Sequence, residues 1–343
     1  MSKLTQEELV RYSRHLVLEN FGLLNQEKLK ASRVLVIGAG GLGCPALLYL
    51  AAVGIGTIGI VDFDTVARSN LQRQILFSID DLGNNKALAA RQRLHKLNPL
   101  INLHTYPERL TTNNVMEIAK NYDVILDGTD NFQTRYLIND ACVLLNKPFV
   151  YASILKFEGQ ISSFNILLPS GGYSANYRDL FPEPPDVSAV PNCEHAGVLG
   201  VLPGMIGSMQ ALESIKLITG VGEPLINKLL LFDSLTLQQT IIGIRSNGAR
   251  NGITRLIDYD EFCGINEKKN KPLEAKQKSM KEVTVQELKA LKDRGADFQL
   301  IDVREPHEYD ICHLDGQLIP QGEIPASVDK ISKDKQVIIH CRS

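Results

Sequence analysis

The sequence predicts a doubly wound α/β sheet extended by antiparallel strands, followed by a smaller, partial α/β domain. Three observations lead there. Short β-branched apolar runs alternate with helical patterns through the first half of the chain. A glycine-rich turn leaves the first of those runs and opens a helix. A lysine-rich polar stretch then separates the last sixty or so residues, where the alternation starts afresh.

RVLVIG (33–38) and TIGIVD (57–62) read as buried parallel strands, with the helix former PALLYLAAV between them. INLHTY, DVILD and PFVYASI continue the strands, separated by helical patterns such as NKALAARQRLHKL. From residue 159 onward, GQISSFNILLP and KLLLFDSLTLQQTIIGI read as antiparallel strands around a proline-rich loop and an apolar helix, MIGSMQALESIKLI. The expected division is a first domain over 1–265, a linker over 266–280 and a second domain over 281–343. In that second domain a capped helix (VTVQELKALKDRG) precedes a strand (FQLIDVRE), and the chain as given ends just after another (QVIIHCRS), so this domain is expected to be incomplete.

The charge is nearly balanced, 37 basic against 39 acidic residues, which argues against nucleic acid or an anionic membrane as a bulk partner. The six cysteines are scattered without a C-x-x-C pair and the N-terminus has no apolar signal core, so a cytoplasmic protein is expected. Residues 34–61 carry no charge, but seven glycines and Pro45 interrupt them, which suits strand–turn–helix–strand better than a membrane span.

The turn is Gly38-Ala39-Gly40-Gly41-Leu42-Gly43. Its glycines let the backbone approach a phosphate, and the following helix N-terminus offers unpaired N–H groups. Asp62, at the end of the next strand, is placed to accept from a ribose, as in Rossmann-like nucleotide sites. A tight ligand-free turn is the plainer reading, and the motif alone leaves the nucleotide open. Arg68, Asn70, Arg73 and Gln74, then Lys86, follow the second strand. A triphosphate needs such a set to bind and to lose pyrophosphate, whereas a dehydrogenase does not. Arg68 and Arg91 read as ordinary surface charges; Asn70, Arg73 and Lys86 read as functional. Asp130 lies beyond the C-terminal end of DVILD, where it could hold Mg²⁺ or cap the helix after it.

RYSRHLVL, GAGGLG, VDFD, SNLQRQILF, DGTDN, LFPEPP and AGVLGVLPGMIGSMQALESIKLITG closely resemble the MoeB/ThiF family, bacterial relatives of ubiquitin-activating enzymes, over about residues 1–265. The resemblance implies a homodimer that uses Mg-ATP to adenylate the C-terminal Gly-Gly of a ubiquitin-like sulfur carrier of the MoaD or ThiS type. It implies phosphate contacts at Gly41, Asn70, Arg73 and Lys86, with Gly38, Gly40 and Gly43 shaping the loop. It further implies ribose at Asp62, Mg²⁺ at Asp130 beside Asn131, and Arg14 reaching into the partner subunit's site. The family commonly carries zinc on two C-x-x-C pairs. Here those positions read Asn176-Tyr-Arg-Asp179 and Asp260-Glu-Phe-Cys263, so zinc is expected to be absent.

Two cysteines merit weighing. Cys193, in VPNCEHAGVLG, lies where family members can carry an acyl thioester or persulfide; a loop thiol beside His195 could be activated, or could be mere filler. LIDVREPHEYDICHLDGQLIP followed by VIIHCRS resembles the rhodanese family, with Asp302, Arg304, Glu308, His313 and Gly316 matching and Cys341 in the place of the persulfide carrier; the resemblance implies sulfur transfer by Cys341 in the full-length protein, an activity not expected of the chain as given. The alternatives are an NAD-dependent oxidoreductase, adenylation of a substrate other than a carrier protein, and a non-catalytic docking module.

Overall fold

The computed structural model describes residues 3–185, 197–264 and 283–341. The chain forms two compact units, Met1–Lys271 and Pro272–Ser343. The linker expected at 266–280 and the segment around Cys193 lie outside the described residues.

The first unit is built on an eight-stranded sheet: β1 (Arg33–Ile37), β2 (Thr57–Val61), β3 (Asn102–Tyr106), β4 (Val124–Asp127), β5 (Phe149–Leu155), β6 (Glu158–Phe164), β7 (Lys228–Asp233) and β8 (Gln239–Gly243). Their order is β3-β2-β1-β4-β5-β6-β7-β8. The pairs among β1 to β5 are parallel, while β5–β6, β6–β7 and β7–β8 are antiparallel. This is the doubly wound sheet with antiparallel extension that the sequence predicts.

Alternate residues of each parallel strand feed opposite faces. Val34, Val36, Ile58, Ile60 and Leu126 pack on one side against α4 (Gly43–Val53) and α5 (Lys86–Leu97). Leu35, Ile37, Val61 and Ile125 pack on the other against α6 (Val115–Ala119) and α7 (Phe132–Leu145). Both faces being covered explains why β1, β2 and β4 read as unbroken apolar runs.

Before the sheet come α1 (Gln6–Arg11), α2 (Ser13–Leu16) and α3 (Gly22–Ala31). Tyr12, between the first two, is buried against Gly54, and its hydroxyl accepts from Asn98 Nδ2 at 2.9 Å. Later come α8 (Tyr177–Leu180), the nineteen-residue α9 (Val201–Thr219), which runs against β5 and β6, and α10 (Tyr259–Phe262). The strand expected to continue through NILLP stops at Phe164. Asn165 takes a left-handed φ of 59°, and its Nδ2 donates to the carbonyls of Cys142 and Lys147 at 2.9 and 2.8 Å, which turns the chain away.

In the second unit α11 (Val285–Asp293) is capped by Thr284, and three parallel strands follow: β9 (Phe298–Asp302), β10 (Gln317–Leu318) and β11 (Gln336–His340), ordered β10-β9-β11. Its core is separate and small, built on Leu291, Leu300 and Ile338. No helix among the described residues is long and apolar enough to cross a membrane.

Candidate functional site

The strand order reverses between β1 and β4, and the turns leaving these two strands abut. Gly38 has φ +94°, and a Cβ there would stand 2.7 Å from the Gly128 oxygen. A Cβ on Gly43 would lie 1.9 Å from the Gly38 oxygen, so neither position admits any side chain. Gly40 differs. An added Cβ would meet nothing nearer than Gln74 Nε2 at 3.8 Å, an ordinary contact. At Gly41 the neighbours would be Pro203 Cβ at 3.2 Å and Arg73 Cδ at 3.6 Å. Packing therefore demands glycine at 38 and 43, while 40 and 41 leave a cradle beside the start of α4.

Asp62 closes this loop from β2. Its carboxylate accepts the Ala39 N–H at 2.7 Å and the Asp64 N–H at 2.9 Å. Burial raises its pKa, and the Ala39 N–H and the Lys86 charge pull it back only in part. Lys86 opens α5 behind its Asn85 cap; its Nζ lies 3.2 Å from Asp64 Oδ2 and is almost wholly buried. Asn70 ends a 3₁₀ turn over Arg68–Asn70, and its carbonyl accepts the N–H groups of Arg73 (3.0 Å) and Gln74 (2.9 Å). That bend brings Arg73 to Gly41 and Gln74 to Gly40. Arg68 and Arg91 are exposed, in keeping with surface charges.

The β4 turn is held by a buried ion pair. Arg135 Nε lies 3.0 Å from Asp127 Oδ2, with side-chain exposures of 6% and 0% that leave no water to screen the pair. Burial works against the Arg135 charge, and the facing carboxylate more than restores it, so its pKa lies above the ordinary arginine value. Asp127 Oδ1 accepts from the Thr129 N–H (2.8 Å) and hydroxyl (2.5 Å), and Arg135 Nη2 donates to the Thr129 carbonyl (3.2 Å). From α9, Gln210 Nε2 donates to the Asp127 carbonyl at 2.7 Å. Asp130 is exposed just beyond this clamp, and it is not the helix cap: Asn131 is, its Oδ1 accepting the Thr134 N–H at 2.9 Å. Sequence reading missed Arg135 and Gln210 as supports, because a polar residue within a helix carries no mark of facing inward.

Gly38, Gly40, Gly41 and Gly43 thus share one loop, which Asp62 holds through the Ala39 N–H and Arg73 flanks at Gly41. Lys86 joins through Asp64, Asn70 sets the bend, and Asp130 and Asn131 sit on the abutting turn. Cys44, just inside α4, is wholly buried and its thiol is pushed up to about 12 by burial, which leaves it inert. Arg14 is exposed on α2, whose neighbour His15 is tied to Gln26 Oε1 at 3.0 Å. Cys193 lies outside the described residues. A cavity of about 450 Å³, lined by Lys28, Asp123 and Pro148, lies at the opposite end of the strands from the glycine loop.

Around residues 176–179 and 260–263, hydrogen bonds and ring contacts knit the chain together. Asn176 caps α8 and exchanges hydrogen bonds with Asp179 in a capping box. Arg178 forms two 2.8 Å bonds to Asp140, which also accepts from the Tyr259 hydroxyl at 2.8 Å. Arg178 stacks on Phe262 (4.6 Å), and burial pushes the Cys263 thiol up to about 11. In the second unit Asp302, at the end of β9, takes a two-point bond from Arg304 (2.9 and 2.6 Å) and a contact from His340 Nδ1 at 3.2 Å. Arg304 also donates to the Cys312 carbonyl at 2.8 Å. Cys341 follows β11 and is exposed.

The ThiF family model matches residues 12–251. The chain belongs to the ThiF family. A rhodanese-like domain model matches residues 284–343 of this ThiF-family chain. The probable adenylyltransferase/sulfurtransferase MoeZ of Mycobacterium tuberculosis is 48% identical over 345 residues, covering 100% of this chain and 87% of that protein. The sulfur carrier protein adenylyltransferase of Thermus thermophilus is 46% identical over 267 residues, covering 76% and 98%. The crystal structure of E. coli MccB with ATP is similar at 26% identity and a TM-score of 0.55, covering 66% of this chain and 68% of that one. The protein is thus a ThiF-family adenylyltransferase with a rhodanese-like region, and the oxidoreductase alternative falls away.

ThiF-family adenylyltransferases use ATP, and the residues here fit it. Among the described residues the N–H groups of Gly40, Gly41 and Leu42 have no hydrogen-bond partner. Three free amides beside a helix N-terminus, with Arg73 and Lys86 flanking, are a donor set for polyphosphate.

Proposed function

We propose that this chain activates the C-terminal carboxylate of a ubiquitin-like sulfur carrier protein by adenylation with Mg-ATP, as the first step toward a thiocarboxylate used in molybdopterin or thiamin synthesis. The observation that carries it is the cradle at Gly40 and Gly41, walled by Arg73 and Asp62 and abutted by the turn that presents Asp130. The three free amides and Arg73 hold the phosphates, with Lys86 and the Asn70 side chain beside them. Asp62, its oxygens each taking one backbone N–H, keeps lone pairs for the ribose hydroxyls. Asp130 is the ligand for Mg²⁺, which supplies charge neutralisation as pyrophosphate leaves. No general base is required: the carrier carboxylate is already ionised, and alignment with charge stabilisation carries the step.

Arg14 serves the partner subunit's site in a homodimer. In support, Tyr12 and His15 tie their segment to the body of the unit while Arg14 stays exposed, near exposed Val10, Val17, Leu18 and Leu23. The zinc-free reading of the Asn176 and Cys263 region rests on its donor set, in which Cys263 is the one thiol at the four positions and Asn and Asp stand at the others. In the full-length protein the rhodanese-like region carries sulfane sulfur on Cys341, and its terminal sulfur attacks the acyl-adenylate carbonyl as AMP departs. Cys193 is the candidate thiol for release: its thiolate attacks the Cys341 sulfur of the resulting acyl disulfide, forming a Cys193–Cys341 disulfide and freeing the thiocarboxylate.

The test is ATP–pyrophosphate exchange with a carrier ending in Gly-Gly. Exchange should require the carrier and vanish when its final glycine is removed. Exchange indifferent to every carrier would sink this reading in favour of a substrate that is not a carrier protein.

A further inference from the structure

Lys86 is the only buried lysine among the described residues. Its ammonium has three N–H donors, and among those residues it makes one hydrogen bond, to Asp64 Oδ2 at 3.2 Å. That is long for a charge-assisted bond, which normally closes to about 2.7–2.9 Å. Lys30 and Glu8, by comparison, meet at 2.6 Å. Lys86 also faces the cradle: its charge acts on Asp62, the carboxylate that closes the glycine loop. A buried ammonium so thinly met has capacity left for an anionic oxygen.

The two ion pairs at this site differ in kind. Arg135 and Asp127 are both sealed, at 6% and 0% side-chain exposure, so parting them would strand two charges. In the pair of Lys86 with Asp64 the cation is 8% exposed and the carboxylate 51%. Once released, Asp64 is taken up by water at little cost, whereas Lys86 without a counter-charge is not. The backbone of Asp64 is fixed independently of its side chain. Its N–H donates to Asp62 Oδ1 at 2.9 Å, and its carbonyl accepts the Lys86 N–H at 2.8 Å and Asn85 Nδ2 at 3.2 Å. Among the described residues its carboxylate bonds only to Lys86, and the fixed backbone keeps it within reach.

We propose that Asp64 is a positioning residue acting through Lys86: an exchangeable counter-ion that holds the ammonium in the empty site, yields it to the phosphate chain of ATP and reclaims it as pyrophosphate leaves. By stabilising the empty site, the carboxylate loosens the grip on ATP and on pyrophosphate alike, and the second effect eases release of product. The asymmetry of exposure suits this role, since the partner that must let go is the one water can receive. The inference deepens the adenylation reading above and rests on it.

The experiment compares the full chain with Asp64→Asn, which keeps an oxygen for Lys86 and removes the charge. Binding of a non-hydrolysable Mg-ATP analogue, of magnesium pyrophosphate and of adenosine is measured by calorimetry, and nucleotide-free stability by melting. In Asp64→Asn the nucleotide-free melting temperature should fall slightly, while the analogue and pyrophosphate each bind at least about threefold more tightly. Adenosine, which has no phosphate, should bind as it does to the parent. A purely structural Asp64 would instead lower stability and weaken all three ligands. In a Lys86→Met background the gain in analogue affinity from Asp64→Asn should disappear, because the ammonium it acts through is gone. Unchanged or weaker analogue binding by Asp64→Asn overturns the inference, as does an equal gain for adenosine. A gain of the same size in the Lys86→Met background overturns it too, since that is plain repulsion of phosphate. Should Asp64→Asn not fold, Asp64→Ser is held to the same outcomes. If the parent chain itself does not bind the Mg-ATP analogue, the adenylation reading has failed and takes this inference with it.

Discussion

At the scale of single residues the site is a division between groups that fix geometry and groups left for substrate. Arg73 spends one bond on the Ser69 carbonyl at 3.2 Å, and Asp130 spends none among the described residues. Removing either should leave the fold and remove charge where charge develops. Arg73→Ala and Asp130→Ala are expected to lower carrier-dependent exchange by about a hundredfold or more. Cys193→Ala should leave exchange intact, because adenylation precedes any thiol chemistry. Loss of exchange in a folded Cys193→Ala would reverse that order. Legibility divides the same way. The glycine turn, Asp62 and Arg73 could be put forward as candidates from their places after β1 and β2, while the phosphate contact of Gly41 came from the family resemblance. Asp127 with Arg135, and Gln210, could not, since their meaning lies in contacts between distant segments.

At the scale of elements, the β1 loop and the β4 turn make one joint. Two substitutions separate its structural from its functional glycines. Gly43→Ala places a Cβ 1.9 Å from the Gly38 oxygen and should cost several kcal/mol, measured as a fall in denaturant midpoint. Gly40→Ala meets only a 3.8 Å contact and should keep close to parental stability while losing most of the Mg-ATP-induced thermal shift. Equal destabilisation by both would show that the cradle at Gly40 is a packing feature. In β9, Asp302 has its pKa lowered to about 2, chiefly by the Arg304 hydrogen bonds. Lowered below the unfolded value of about 3.9, it lends stability that is present above pH 4 and lost as pH falls toward 2. Asp302→Asn should lower stability at neutral pH and flatten that acid dependence, followed by melting across the range. The strands themselves were readable in sequence; the end of β6 was not, because the left-handed turn at Asn165 looks like any other polar residue in a strand pattern.

At the scale of the whole molecule, two units with separate cores carry the two family matches. The division between them, at Lys271 and Pro272, falls within the lysine-rich stretch read from sequence as a linker, where the lack of an apolar period leaves nothing to bury in a core. Assembly is the part the sequence could only borrow from resemblance. If Arg14 serves the partner subunit, Arg14→Ala and Arg73→Ala should each be inactive alone. Mixed under subunit exchange they should regain about a quarter of parental exchange, because half the dimers are mixed and each holds one intact site. No recovery, with exchange of subunits verified, would place Arg14 outside the chemistry.

The bare contact between residues 38, 43 and 128 also shapes how this site could change over time. A joint made of backbone alone offers no graded steps: the smallest alteration, one methyl, is already too large at each of these three positions. Variation in what the enzyme accepts must therefore arise around the rim, among the side chains that line the nucleotide, while the hinge of the two strand ends stays bare.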